Sequence, residues 1–330
     1  MKKSFRFLFS GLMALLCLAA PARAFFFGGG SDERAGELLA GMRAAYGAGN
    51  CGAVLETSEK FMGEKPPERM CEEAYGYMGR CYEALGSEDK AIGLYKLGLG
   101  LHPDNVLFSY RLARIYNQAG FYQLALPLFL KSLSLYPDDP EANLGLARAY
   151  AALGFLGRAK EFYSKAVILQ DFRDAAALEE YARSMLRKGD WGEALYIAAK
   201  GQEAAPKSAV WPALEAKAMA GQGKYNTAVT LMEAAISLEA SRELRLERAL
   251  YQLMGGLPNR AAQSADAELA ADPGDALASA IKGMALYSLG RKGEAEAYFL
   301  RARAGGPFTA RVAEAFLKLA PAAPEDACKK

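Results

Sequence analysis

The chain has 330 residues, of which 52% are hydrophobic and 24% charged, so it can bury a large interior. Glycine and proline are too sparse for a disordered or collagen-like chain. A formal net charge of +2 excludes a general binder of nucleic acid or of anionic membrane surfaces.

The first 24 residues have the pattern of a signal peptide. They begin with three basic residues, Lys2, Lys3 and Arg6. An apolar stretch at 7–20 follows, and Ala22-Arg23-Ala24 has the small-x-small form that signal peptidase recognises. We therefore predict cleavage after Ala24, a flexible lead at 25–34, and a mature chain of net charge −2 without a transmembrane span. An uncleaved membrane anchor is the alternative, but the apolar stretch is short for a bilayer.

Beyond this lead the sequence repeats every 33–35 residues. Glycine recurs at Gly86, Gly120, Gly154, Gly189, Gly223, Gly256 and Gly290. Alanine recurs at Ala91, Ala125, Ala159, Ala194, Ala228, Ala261 and Ala295. A third column holds only small residues: Gly79, Ala113, Ala147, Ala182, Ala216, Ala249 and Gly283. Each repeat therefore predicts two antiparallel helices, with glycine at the turn and small residues where the two helix axes come close.

This pattern resembles the tetratricopeptide repeat (TPR) family. The stretch "YGYMGRCYEALGSEDKAIGLYKLGLGLHP", residues 75–103, carries nearly all of the family's pattern, and the resemblance covers 35–307. It implies an all-α fold, a right-handed α-solenoid of about eight helix hairpins. The units begin near residues 35, 72, 106, 140, 175, 209, 242 and 276. Residues 308–320 predict a capping helix over the last unit, and 321–330 a polar tail.

Several positions depart from the family's pattern. Asp171 and Ala240 replace the proline that closes a unit, Glu268 occupies a position that is usually small, and Gln252 replaces a tyrosine. We therefore expect the later units to pack less tightly or to bend differently.

The cysteines suggest one disulfide. The mature chain would keep four cysteines: Cys51, Cys71, Cys81 and Cys328. Cys71 and Cys81 are ten residues apart on one predicted helix, about 15 Å along its axis, which is too far for a bond. Cys51 opens the preceding helix, which should run antiparallel, so Cys51–Cys81 is the geometrically allowed pair; buried thiols are the alternative. Lipidation of Cys17 is disfavoured because Leu16 is too large.

Nothing in the sequence predicts catalysis, a cofactor or a metal site. The only histidine is His102, so a two-histidine metal site cannot form. A Ser-His-Asp triad would require His102, and no G-x-S-x-G motif accompanies it. The glycines of "FFFGGG", residues 25–30, open no phosphate-binding loop, and there is no C-x-x-C pair.

The resemblance also implies a binding surface, because the first helices of TPR units line the inner face of the stack. The ninth residue of each unit lies there and forms a row of cations, here called the cation row: Arg80, Arg114, Arg148, Arg183 and Lys217. Polar neighbours are Tyr77, Tyr110, Arg111, Asn117, Gln118 and Arg187. We predict that this row contacts an acidic peptide segment or a C-terminal carboxylate, since arginine forms paired hydrogen bonds to carboxylates. The alternative is an ordinary surface neutralised by nearby glutamates.

In the last two units the same inner positions are apolar. They are Leu246, Leu250, Leu253, Leu277, Ile281, Met284 and Tyr287. They predict either a docking groove for a partner's amphipathic helix or a surface covered by the capping helix.

As a whole, the resemblance implies an exported, non-enzymatic scaffold or adaptor that binds a protein or peptide. The setting would be the periplasm or cell envelope of a Gram-negative bacterium, in a membrane-associated complex of outer-membrane, secretion, pilus or polysaccharide-export machinery. Two alternatives remain open: a module that binds acidic polysaccharide, and a non-catalytic accessory subunit of an enzyme.

Overall fold

The computed structural model describes residues 29–319 of the chain, and this part consists of helices and turns without strands. The predicted signal peptide, Cys17, Cys328 and the polar tail lie outside the described residues. The chain divides into two compact units, the first ending at Phe155 and the second beginning at Leu156.

Seven helices belong to the first unit: α1 (Gly29–Gly47), α2 (Cys51–Gly63), α3 (Glu68–Ala84), α4 (Glu88–Leu101), α5 (Val106–Gln118), α6 (Tyr122–Leu135) and α7 (Pro140–Ala152). Ten described helices belong to the second: α8 (Leu156–Leu169), α9 (Ala175–Lys188), α10 (Trp191–Ala204), α11 (Val210–Gly221), α12 (Tyr225–Leu238), α13 (Arg242–Met254), α14 (Pro258–Ala271), α15 (Ala276–Ser288), α16 (Lys292–Arg303) and α17 (Pro307–Leu319).

Within each unit, helices that are neighbours in sequence pack against each other. In the first unit α1 packs on α2, α3 on α4 and α5 on α6, and in the second α9 packs on α10, α11 on α12, α13 on α14 and α15 on α16. First helices of successive hairpins also touch, as α5 and α7 do, and likewise α11 and α9. Each unit is therefore a stretch of α-solenoid, and the predicted all-α fold of helix hairpins is confirmed.

The turn glycines adopt the conformation that their position requires. All seven glycines of the predicted column, together with Gly49, have φ between 70° and 84°. An L-residue with a β-carbon rarely adopts this left-handed region, so glycine ends the first helix of each hairpin at little cost. The positions of these glycines therefore mark the C-terminal end of the first helix in each hairpin.

The two small-residue columns lie in the core. Ala125 and Ala159 are fully buried, as are the other alanines of both columns. Where the first-helix position is glycine, an aromatic ring from the second helix fills the space. A β-carbon on Gly79 would lie 2.7 Å from Tyr95 Cζ, and one on Gly283 would lie 2.8 Å from Phe299 Cε1. The columns are small because the helices leave no room for more.

A second size match joins one hairpin to the next. A β-carbon on Gly201, near the end of α10, would overlap the ring of Trp211 in the first turn of α11. Gly98 and Phe108 have the same relation between α4 and α5. Where the small residue is alanine, its partner shrinks: Ala235 of α12 shares a core cluster with Leu244. We call such a pair, one residue on each side of the junction between hairpins, a seam pair.

Two of the predicted departures are compensated in the structure. Glu268 is buried and accepts two hydrogen bonds from the Arg245 guanidinium, at 2.6 and 3.0 Å. The Gln252 side chain is buried and accepts a hydrogen bond from the Ser264 hydroxyl. These polar groups are therefore satisfied locally, and neither requires the looser packing that we expected.

The turn after α8 shows a different departure. In place of a closing proline, Asp171 and Phe172 both take positive φ values, 52° and 56°. Neither residue is glycine, so the turn holds two strained backbone positions in succession.

The first hairpin extends further toward the N-terminus than the sequence indicates. Helix α1 begins at Gly29, so residues 29–34 are helical where a flexible lead was expected. Two ion pairs link this region to the following residues: Arg34 lies 3.0 Å from Glu64, and Asp32 lies 3.4 Å from Arg69.

A disulfide joins α2 to α3. Cys51 and Cys81 are bonded, with their Cα atoms 5.1 Å apart, a usual separation for a disulfide. Cys71 is buried, and its sulfur lies 3.9 Å from the Pro66 carbonyl oxygen. The Cys51–Cys81 disulfide therefore links the first hairpin to the second.

Helix α17 covers the end of the second unit. Phe316 stacks on Phe299 with ring centroids 4.9 Å apart and meets Tyr287 edge to face at 5.1 Å. Met284 and Tyr287 belong to the apolar cluster around this contact. For Met284 and Tyr287 the structure thus favours the second interpretation, a surface covered by the capping helix, whereas Leu246 and Ile281 are buried in a separate cluster between α13, α14 and α15. No helix among residues 29–319 has the length and apolar character needed to cross a membrane.

Candidate functional site

The cation row begins in the first unit with Arg80 on α3. Its guanidinium lies over the ring of Tyr46, 4.9 Å from the centroid, and 5.7 Å from that of Tyr77. The Arg80 Nε donates to the Gly76 carbonyl, and the structure gives it no carboxylate partner among the described residues. Tyr77 itself donates to Glu73 at 2.8 Å. Arg80 is therefore a cation held by aromatic rings rather than by an acid.

The next cation of the row, Arg114, and its neighbour Arg111 meet at one acid, Glu83, whose side chain is only 9% exposed. Glu83 of α3 receives Arg114 and, at 3.5 Å, Arg111, both from α5. The Tyr95 hydroxyl also donates to this carboxylate. Burial raises the pKa of Tyr95 to about 12, although the nearby charges of Arg111 and Arg80 oppose the rise. Arg111 and Arg114 thus stabilise the partly buried Glu83, and an external acid would have to compete with it.

The remaining predicted residues of the first unit are structural or half-buried. Asn117 donates to the Gly145 carbonyl at 3.0 Å and so ties α5 to α7. Burial and then the charges of Glu141 and Asp139 raise the pKa of Tyr110, against Arg111 and Arg148. The half-buried Arg148 lies on α7.

Sequence reasoning missed one member of the row. Arg43, the ninth residue counted from 35, donates to both oxygens of Glu73, at 2.9 and 3.0 Å. Burial acts to raise the pKa of Glu73, but hydrogen bonds from Tyr77 and Arg43 outweigh it, so that the pKa is lowered. Extending the ninth-position count to the degenerate first unit would have found this residue.

In the second unit the row is also paired. Arg183 of α9 donates to Glu179 of the same helix at 2.7 Å. Lys217 of α11 lies 3.2 Å from Glu247 of α13, which in turn accepts from the Tyr251 hydroxyl at 2.6 Å. The positive charge predicted for this surface is therefore largely neutralised by carboxylates of the chain itself.

Two grooves open on the first helices of the second unit, and they share the side chain of Arg183. The larger, 480 Å³, is here called the Arg187 groove, and its lining is Tyr163, Glu180, Arg183, Leu186 and Arg187. The smaller, 170 Å³, is the Leu214 groove. Its apolar lining is Ala209, Val210, Ala213, Leu214 and Leu244, and its polar lining is Arg183, Lys217, Glu239 and Ser241.

The grooves bring together three of the predicted residues and add others. Arg183, Arg187 and Lys217 all line them, whereas the apolar walls and Glu239 were not predicted. Glu239 lies in the turn where Ala240 replaces the closing proline, and this substitution was the one sequence signal at that place. The described residues contain no group of three His, Cys, Asp or Glu side chains placed to hold a metal ion. The grooves can therefore seat an apolar side chain between charged groups.

Hairpins of two helices, joined by glycine turns and stacked through small-residue columns, define an α-solenoid repeat protein. The family model for the tetratricopeptide repeat matches residues 110–173, 214–276 and 246–310. The chain belongs to the tetratricopeptide repeat family.

One solved structure supports the same fold, and two others are similar to about half of the chain. A tetratricopeptide repeat protein from Parabacteroides merdae is 20% identical, with a TM-score of 0.55 over 76% of this chain and 98% of that one. YrrB, described as a TPR protein with an unusual peptide-binding site, is 19% identical, with a TM-score of 0.49 over 52% of this chain and 88% of its own. MamA is 22% identical, with a TM-score of 0.49 over 52% and 92%. No curated protein sequence matches the chain significantly.

Proposed function

We propose that the chain is a scaffold that holds a peptide or protein partner on the first helices of its second unit, without chemistry of its own. The observation that carries this proposal is the pair of adjoining grooves that share Arg183. Apolar walls supply burial, and charged groups at the rim orient the bound segment. Because the apolar wall residues Val210, Ala213, Leu214 and Leu244 lie on packed helices, the surface needs little rearrangement to bind.

We place this scaffold in the envelope of a Gram-negative bacterium. Two observations support export: the signal-peptide pattern of residues 1–24 and the Cys51–Cys81 disulfide, a bond typical of oxidising compartments such as the periplasm. Its partner would belong to outer-membrane, secretion, pilus or polysaccharide-export machinery, in a membrane-associated complex.

The pairing of the cation row bears on the kind of partner. Glu83, Glu179 and Glu247 already occupy Arg114, Arg183 and Lys217. A uniformly acidic ligand would have to displace these carboxylates, so the acidic-polysaccharide alternative has less support than a peptide with mixed character.

A site-specific photo-crosslink tests the proposed surface. A photoreactive amino acid at Val210, in the wall of the Leu214 groove, should give one discrete protein adduct in intact cells. The same amino acid at Glu296, an exposed position on α16, is the control and should not give that adduct. Identical adducts from both positions, or none from Val210, would contradict a partner in the groove.

The proposed compartment has its own test. Alkylation of thiols in intact cells, followed by mass spectrometry, should find Cys51 and Cys81 protected as a disulfide in the periplasmic fraction. A cytoplasmic pool in which both cysteines are alkylated would contradict export.

A further inference from the structure

Two charged side chains in the grooves have no partner of opposite charge among the described residues. Arg187 is exposed in the last turn of α9 and lines the Arg187 groove, where the structure gives it no carboxylate within ion-pair distance. Glu239 is exposed just after α12 and lines the Leu214 groove without a basic partner. The other cations of the grooves are satisfied, because Arg183 and Lys217 pair with acids of the chain.

The space next to Glu239 suits one apolar side chain. The Leu214 groove has a volume of 170 Å³, roughly that of five or six water molecules, and five of its nine lining residues are aliphatic. Water in such a space gains few hydrogen bonds, so an aliphatic or aromatic side chain would displace it favourably.

We propose that the occupant is an extended peptide segment with one apolar residue flanked by an acidic residue on one side and a basic residue on the other. The apolar side chain enters the Leu214 groove, the acidic residue meets Arg187, and the basic residue meets Glu239. This inference rests on the proposed function and specifies its ligand as bipolar rather than uniformly acidic. Exposed ion pairs of this kind contribute orientation and specificity more than affinity.

The ligand is tested by selection from a display library of random dodecapeptides on the purified protein. The recovered peptides should share an apolar residue between opposite charges. A synthetic peptide with the recovered sequence should bind Arg187→Glu and Glu239→Lys each about five- to tenfold more weakly, since an exposed ion pair is replaced by a like-charge contact. The double variant should regain affinity for the peptide in which the two charges are exchanged.

Matched controls separate this effect from a change in net charge. Arg303→Glu alters an exposed cation in the last turn of α16, and Glu296→Lys alters an exposed acid on the same helix. Both variants should bind the original peptide as the wild type does. Far-ultraviolet circular dichroism should give the same helical content for all variants, because the four positions are exposed.

The outcomes are distinguishable. Uniformly acidic selected peptides would overturn the bipolar ligand, and so would selected peptides whose affinity is unchanged by either groove variant; both results would leave a peptide-binding scaffold in place. Failure to recover any peptide above background would overturn the proposed function together with this inference.

Discussion

The seam pair Gly201–Trp211 predicts that two changes, each harmful alone, will compensate when combined. In Gly201→Ala the new β-carbon would overlap the Trp211 ring. Overpacking of this kind costs about 1–3 kcal/mol, and the better helix propensity of alanine offsets up to about 1 kcal/mol of that cost. We therefore expect a net loss of about 1–2 kcal/mol.

The second change opens the same space. Replacing a buried tryptophan by alanine costs about 3–5 kcal/mol, and leucine keeps part of the lost volume, so Trp211→Leu should cost about 2–3 kcal/mol. The lower figure is favoured, because the Trp211 indole N–H has no hydrogen-bond partner among the described residues and its removal relieves that penalty. The double variant recreates the pair Ala235 and Leu244 of the next seam.

The double variant should therefore be at least about 1 kcal/mol more stable than the sum of the single losses predicts. Urea denaturation followed by circular dichroism, with hydrogen exchange of α10 and α11 as a local measure, gives the three values. If the losses of the two single variants add up to the loss of the double variant within about 0.5 kcal/mol, the argument that Gly201 is small because Trp211 is large would be refuted.

Three further predictions follow from other contacts. Serine at both Cys51 and Cys81 removes a crosslink across a separation of 30 residues, worth about 3.7 kcal/mol in the chain-entropy model. The rate of amide hydrogen exchange in the first hairpin should then rise on the order of 500-fold. An equal rise in the second unit would contradict a local stabilising effect of the disulfide. Arg245→Met should cost about 2 kcal/mol, since it leaves the buried Glu268 carboxylate unpaired beside a partly exposed site. Glu268→Ala should cost less in the same melt, because the pair disappears with its buried charge; a larger loss from Glu268→Ala would contradict this. Burial raises the pKa of Glu215, so the stability linked to its neutral form is present in acid and is lost as the pH rises through that pKa. Glu215→Gln should thus raise the melting temperature at pH 7 and leave it unchanged below about pH 4. An equal change in melting temperature at the two pH values would contradict a raised pKa of Glu215.

Much of the fold could be predicted from the sequence because its determinants are local and periodic. A glycine that must take positive φ, such as Gly120, and an alanine between two close helices, such as Ala125, each tolerate few replacements. Their spacing therefore shows in a single sequence. The partners of the charged side chains cannot be predicted in the same way. Arg114 and Glu83 are 31 residues apart, and their contact depends on side-chain rotamers that do not follow the repeat.

The size of a groove is equally hidden from the sequence. The Leu214 groove depends on how a turn without proline places Glu239 beside the walls of α11 and α13. The compensation at Glu268 by Arg245 was also missed, since the helical pattern marks the position as small but says nothing of a long side chain that reaches it. Both depend on tertiary placement rather than on composition or period.

The seam pairs also determine how such a gene can lengthen. Gly201 lies in one hairpin and Trp211 in the next. If whole hairpins were duplicated, each new junction would bring together two residues that are not native partners in size. A duplication cut at a turn glycine such as Gly189 or Gly223 copies the whole junction with both of its members. Evolutionary or engineered extension of this array should therefore be tolerated with breakpoints inside hairpins rather than between them.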